Sequence, residues 1–190
     1  MTYDISALQE MLRAKQNGRR FTHTLGVQYT SACLAMKYGA DIRKAELSGL
    51  LHDCAKHKRP EKLLKYCLDR QLEITDVQRR RPFMLHGLVG AYVAREKYGV
   101  DDEEILSAIK WHTTGRPDMS LLEKIVFTAD YFERGRIQAP NLDELRRISF
   151  EDLDRAVCLI LKQTLDYLGQ TPEDIDQMTE LAYEFYKNKL

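Results

Sequence analysis

The sequence predicts an all-α fold, one bundle of roughly eight to eleven helices at ordinary helix lengths. Three observations carry that expectation. Apolar residues recur at helical spacing in almost every segment, capping residues and glycine stops bracket those segments, and strict two-residue alternation is absent.

Taken in order, His23 shares a helix face with Val27 and Leu34. Leu47, Leu50, Leu51 and Cys54 keep the i, i+3, i+4, i+7 pattern of one face. Leu85, Leu88, Val89, Tyr92 and Val93 repeat it, with His86 one residue off that stripe. The stretches "KYGAD" and "KYGVD" read as two helix ends that use the same glycine stop. Asp101 or Asp102 caps a helix through Ile105 and Ile109, with His112 further along it. Ser120 and Glu123 form a capping box ahead of Leu122, Val126, Ala129 and Asp130, which share a face. Leu153, Val157, Ile160, Leu161 and Leu168 mark the next helix. Thr171 and Pro172 read as an N-cap and first helical position before a last amphipathic helix through Ile175, Met178, Ala182 and Phe185. Loops at 38–41, 98–102, 113–120 and 135–141 are short and polar, and no linker or repeat stands out.

A chain of 190 residues, 44% hydrophobic and 31% charged, suits one domain with a real core. Lys plus Arg and Asp plus Glu number 29 each, so net charge is zero, which argues against a nucleic-acid binder or a membrane-surface protein. No apolar run is long enough for a membrane span. The start "MTYDISALQE" lacks a basic stretch followed by an apolar one, so no secretion signal is expected and a cytoplasmic location follows. Cys33, Cys54, Cys67 and Cys158 form no CxxC pair and read as reduced, small core residues.

The chemistry lies in ionisable side chains on apolar faces. Asp130 points inward, and its face supplies no Arg or Lys; a buried carboxylate without a partner costs several kcal/mol. A metal ion supplies the missing charge and uses neutral imidazoles as ligands. His23, His52, Asp53 and Asp130 make a two-His, two-Asp set from three helices, with His52 and Asp53 about 100° apart on one of them. A lone inward histidine is usually a hydrogen-bonded core residue, so the case rests on coincidence: three inward His and two inward Asp in one small core. His57, in "KHKRP", reads as solvated.

The order His23, His52-Asp53, Asp130 resembles the HD superfamily of metal-dependent phosphohydrolases, which are all-helical. The text around these residues is "HTLGV" from 23, "LLHDCAK" from 50, "HGLVGAYVA" from 86 and "AIKWHTTGRPDMSLLEKIVFTADYFERGR" from 108. Together these resemble the bacterial symmetrical diadenosine tetraphosphate hydrolases of that superfamily. The resemblance implies one HD-type domain over 1–190, with a metal-site core at about 20–136 and helices at about 142–190 packed on it. It implies an iron-dependent enzyme, with manganese or another divalent transition metal as alternatives and one ion favoured over two, that cuts the dinucleoside polyphosphate into two ADP. His23, His52, Asp53 and Asp130 would hold the ion. Lys56, His86, His112, Thr113 and Arg136, together with His23, Asp53 and Asp130, would contact the substrate's phosphates, and residues around 170–175 would approach base or ribose.

The residues support such chemistry independently. Phosphoanhydride hydrolysis needs an activated water and neutralised phosphoryl charge. Asp53 or Asp130 would accept the water's proton, Asp53 being preferred. His86 and His112 either bind a second ion or touch phosphate and protonate the leaving ADP. Lys56 falls one turn after His52 and reaches a phosphate as a point charge. Arg136 is chosen over Arg134 in "FERGR"; "QRRRP" is a solvated face or an electrostatic funnel, and Trp111 stacks on adenine or is a packed flank. Competing readings are another HD nucleotidase or phosphodiesterase, a non-catalytic nucleotide sensor, and a helical scaffold with structural histidines. A homodimer is left open.

Overall fold

The structure, a computed structural model, describes residues 3–169, 171 and 175–190. Among them it contains eleven α-helices, one 3-10 turn and no strand. The helices are α1 (Ile5–Arg13), α2 (Gly18–Tyr38), α3 (Ile42–Leu51), α4 (Pro60–Asp69), α5 (Asp76–Arg80), α6 (His86–Tyr98), α7 (Glu103–Trp111), α8 (Leu121–Phe132), α9 (Leu142–Ser149), α10 (Leu153–Leu168) and α11 (Gln177–Lys189). The 3-10 turn Pro82–Leu85 leads into α6.

Local signals set most boundaries. Asp102 accepts from Glu104 N and Ile105 N at the start of α7. Ser120 and Glu123 close their capping box on α8, and Thr75 with Gln78 does the same on α5. Gly39 and Gly99 end α2 and α6 in the left-handed region, at φ +71° and +67°. The last helix departs from expectation. It starts at Gln177, capped by Asp176, and buries Thr179, Ala182 and Tyr186, while Ile175 precedes it and Phe185 is only half-buried. Pro172 of the expected Thr171–Pro172 start lies outside the described residues.

Two helix ends also differ. α3 stops at Leu51 and α7 at Trp111, so His52 and His112 are C-cap residues, and Asp53 to Lys56 lie in tight turns. Lys56 therefore does not follow His52 along a helix. Its position comes from the turn bond Lys56 N to Asp53 O, 3.0 Å. In α6 the buried face is His86, Val89, Gly90 and Val93, which puts His86 on the main stripe. Cys54, Cys67 and Cys158 are buried free thiols, whereas Cys33 is exposed.

The helices α2, α3, α7 and α8 pack on one another around Val27, Leu34, Leu47, Leu50, Ile109 and Ile125. Each such side chain contributes roughly 1.5–3 kcal/mol on burial. α6 lies against α7, and α10 packs on α8, α9 and α11. Contact between α6 and α7 needs Gly87, where a Cβ would stand 2.7 Å from Lys110 O. This packing gathers the His23 face of α2, the ends of α3 and α7, the start of α6 and the C-terminal half of α8 at one place. No described helix is long and apolar enough to cross a membrane.

Candidate metal centre

Four imidazoles meet there with one orientation in common. His52 Nδ1 lies 2.6 Å from Gly49 O, His86 Nδ1 2.7 Å from Phe83 O, and His112 Nδ1 2.7 Å from Ile109 O. A carbonyl only accepts, so each Nδ1 carries the proton and each Nε2 turns a lone pair inward. The i−3 carbonyl is free to accept because each ring sits at a helix end or turn, where the helical ladder is incomplete. On α2, His23 Nδ1 has Glu133 Oε1 at 3.1 Å instead.

The carboxylates fill the space between these nitrogens. Asp130 Oδ1 is 3.0 Å from His23 Nε2 and 3.7 Å from His52 Nε2. Asp53 Oδ2 is 3.5 Å from His52 Nε2 and 4.0 Å from His23 Nε2, while its Oδ1 is 3.3 Å from His86 Nε2 and 3.5 Å from His112 Nε2. Two overlapping ligand sets result, His23–His52–Asp130 and His52–Asp53–His112, each with its atoms within 4.8 Å of one another. Burial pushes both carboxyls up. Positive charge beside them, as a protonated imidazole or a cation supplies, outweighs this and holds both well below the usual carboxylate range.

The donor set fits a cation. Buried His23 Nε2, His52 Nε2 and Asp53 Oδ1 have no hydrogen-bond partner. A neutral His23 whose Nδ1–H is held by Glu133 turns its Nε2 lone pair to the space beside Asp130, where a cation would meet both. Neutral imidazoles and carboxylates are ligands of divalent transition metals.

The family model of the HD domain matches residues 20–135. The chain belongs to the HD domain family. Similar curated proteins include the symmetrical bis(5'-nucleosyl)-tetraphosphatases of Bacillus subtilis (strain 168), 39% identical over 87% of this chain and 88% of that one, and of Halalkalibacterium halodurans, 40% identical over 92% of each. Among solved structures, a predicted HD superfamily hydrolase involved in NAD metabolism from Clostridium acetobutylicum superposes over the whole of both chains with a TM-score of 0.94 and 36% identity. HD hydrolases are metal-dependent, and the His/Asp cluster is where this HD protein could hold its ion.

The HD cluster brings together all of the residues singled out from sequence that lie near it, in two groups. At one end Lys56 Nζ is 3.0 Å from His86 Nε2, Thr113 Oγ1 is 3.1 Å from His86 Nε2, and His86 Nε2 is 3.1 Å from His112 Nε2. Burial, then Lys56 and His112, push His86 down to about 3, and burial also lowers Lys56. At the other end stands Arg136, whose Nη2 is 2.9 Å from Asp130 Oδ1 and whose Nε donates to Asp130 O at 3.0 Å. The expectation that Asp130 lacks a cationic neighbour is therefore corrected. The loop after α8 folds back, which helix periodicity does not foresee.

Two residues of this HD site escaped the sequence reading. Arg20 Nη1 lies 2.6 Å from Asp53 Oδ2. It stands three residues before His23 on α2, a spacing that puts both on one side. Glu133 is 3% exposed and accepts from Gly135 N as well as meeting His23. Its signal was its place three residues after Asp130. Gly26 makes room for it, since a Cβ there would collide with Glu133 Oε2. His57 and Arg134 are exposed, as are Arg79 and Arg80 at the end of α5. Trp111 is half-buried with Lys110 Nζ 4.5 Å over its ring. Of residues 170–175, only Thr171 and Ile175 are among those described.

Proposed function

We propose that this HD protein hydrolyses diadenosine tetraphosphate at the middle of its phosphate chain, releasing two ADP. The two triads His23–His52–Asp130 and His52–Asp53–His112, which share His52, support the reading, in a chain whose relatives at 39% and 40% identity are symmetrical tetraphosphatases. His23, His52, Asp53 and Asp130 hold the ion, iron in this reading, with manganese or another divalent transition metal able to substitute. When bound, the ion supplies positive charge to the phosphoryl oxygens and acidifies water.

The remaining roles belong to the chain's own side chains. Asp53 Oδ1, buried and unpaired, takes the proton of the attacking water. Lys56 Nζ and Thr113 Oγ1 present donors to phosphate oxygens beside His86. His86 and His112 meet Nε2 to Nε2 with both Nδ1 atoms spent on carbonyls, and in this reading they relay a proton from Lys56 Nζ, 3.0 Å from His86 Nε2, to the departing ADP oxygen. Arg20 and Arg136 retain guanidinium N–H groups beyond those spent on Asp53 and Asp130, and turn these to the phosphate chain. Incubation of the iron-loaded protein with diadenosine tetraphosphate, dAMP and cyclic dinucleotides tests this. ADP as sole product from the first supports it; AMP with ATP, or turnover of the others alone, refutes it.

A further inference from the structure

Asp53 has two faces. Its Oδ2 looks to Arg20, His52 and His23, at 2.6, 3.5 and 4.0 Å, and its Oδ1 to His86 and His112, at 3.3 and 3.5 Å. A cavity opens at each of these ends. One, of about 340 Å³, runs from Thr113 past Trp111 and Gln78 to Asp176. The other, of about 540 Å³, runs from His23 past Arg20 and Arg136 to Asn17, Arg19 and Thr22.

Resting on the tetraphosphate reading above, we infer that the His23-side cavity is a nucleoside subsite, so that the substrate lies across Asp53 with one nucleoside diphosphate in each cavity. Its size falls in the range of small-molecule sites and is far more than one phosphoryl group needs. Its chemistry is graded in the same sense. Arg20 and Arg136, next to the cluster, are placed for phosphate oxygens. The outer wall is different. Asn17 spends its Oδ1 on Arg20 N and keeps its amide donors, while Thr22 donates to Gly18 O and keeps lone pairs. Those are partners for a ribose or a purine edge. Arg19 is exposed and has no ion-pair partner among the described residues, leaving a planar guanidinium free to stack on a base.

This arrangement accounts for where the chain is cut. A substrate gripped by one nucleoside alone can slide its phosphates over the reaction centre. One gripped at both ends presents only its middle. The His23-side cavity is thus a specificity element: it selects the symmetrical products.

The experiment is Thr22→Trp, which fills the outer wall, with Arg19→Glu as a second variant that leaves the volume open. Metal content and thermal stability serve as controls, because both residues are exposed. The substrates are diadenosine tetraphosphate and adenosine 5'-tetraphosphate, which has a nucleoside at one end. The expected result is a rise of about tenfold or more in KM for the dinucleotide, with AMP and ATP appearing beside ADP, and unchanged cleavage of the mononucleotide. Wild-type KM and ADP alone from both variants, or equal losses on both substrates, overturn the subsite. Wild-type protein that leaves diadenosine tetraphosphate intact would instead remove the activity itself, and this inference with it.

Discussion

Glu133 Oε1 lies 3.1 Å from His23 Nδ1, and the same carboxylate accepts from Gly135 N. It thereby fixes both the His23 ring, a proposed metal ligand, and the loop that returns Arg136 to Asp130. Outer-shell carboxylates of this kind set the tautomer and aim of the imidazole. Glu133→Ala is expected to weaken metal retention by roughly 10–100-fold, read by dialysis against a graded chelator. Glu133→Gln keeps an oxygen for Nδ1–H and should recover part of that loss. Metal affinity unchanged in Glu133→Ala would refute the positioning role.

Asp53 is 3% exposed and touches both groups of the cluster. Asp53→Ala should abolish turnover and lower metal content, and it also leaves the Arg20 guanidinium without its carboxylate. Stripping the metal from the wild-type protein should lower Tm, since an ion bound only by the folded state stabilises by mass action. Retention should weaken as pH falls, because protons compete with the ion for imidazole and carboxylate. Calorimetry with and without chelator, at several pH values, is the check; an indifferent Tm would place the ion elsewhere.

His86→Ala separates the two roles open to His86. As a phosphate-side residue, its loss removes activity and leaves one equivalent of metal in place. Elemental analysis that finds two equivalents in the wild type and one in the variant would establish a second ion on the His86–His112 side.

Gly87→Ala places a methyl group 2.7 Å from Lys110 O, a backbone atom that cannot rotate away. α6 must then move off α7, at a cost of about 1–3 kcal/mol. Tm should fall by roughly 2–4 °C for each kcal/mol in a chain of this size. The same shift moves His86 away from His112, so kcat should fall even well below Tm. Thermal denaturation and a low-temperature assay together test it, and a variant as stable and active as wild type would contradict the packing described.

The sequence by itself determined what depends on neighbours a few residues apart. Asp102, the Ser120–Glu123 box, Gly39 and Gly99 bound their helices as read, because caps and stops act within one turn. The nearness of His23 and Asp130 was legible too, since an ionisable residue on an apolar face advertises an inward partner, whereas Asp53 is grouped with His52 and His112. Tertiary structure alone decided that α3 and α7 end just before their histidines, which frees the Gly49 and Ile109 carbonyls for Nδ1. It also decided which cation meets which carboxylate: Arg20 with Asp53 across 33 residues, and Arg136 with Asp130 through a reversing loop. Periodicity tells which way a side chain faces on its own helix. The distance to a partner on another helix is set by packing, here by the close approaches at Gly26 and Gly87, and it is that packing which gives Asp53 two sides and the centre two mouths.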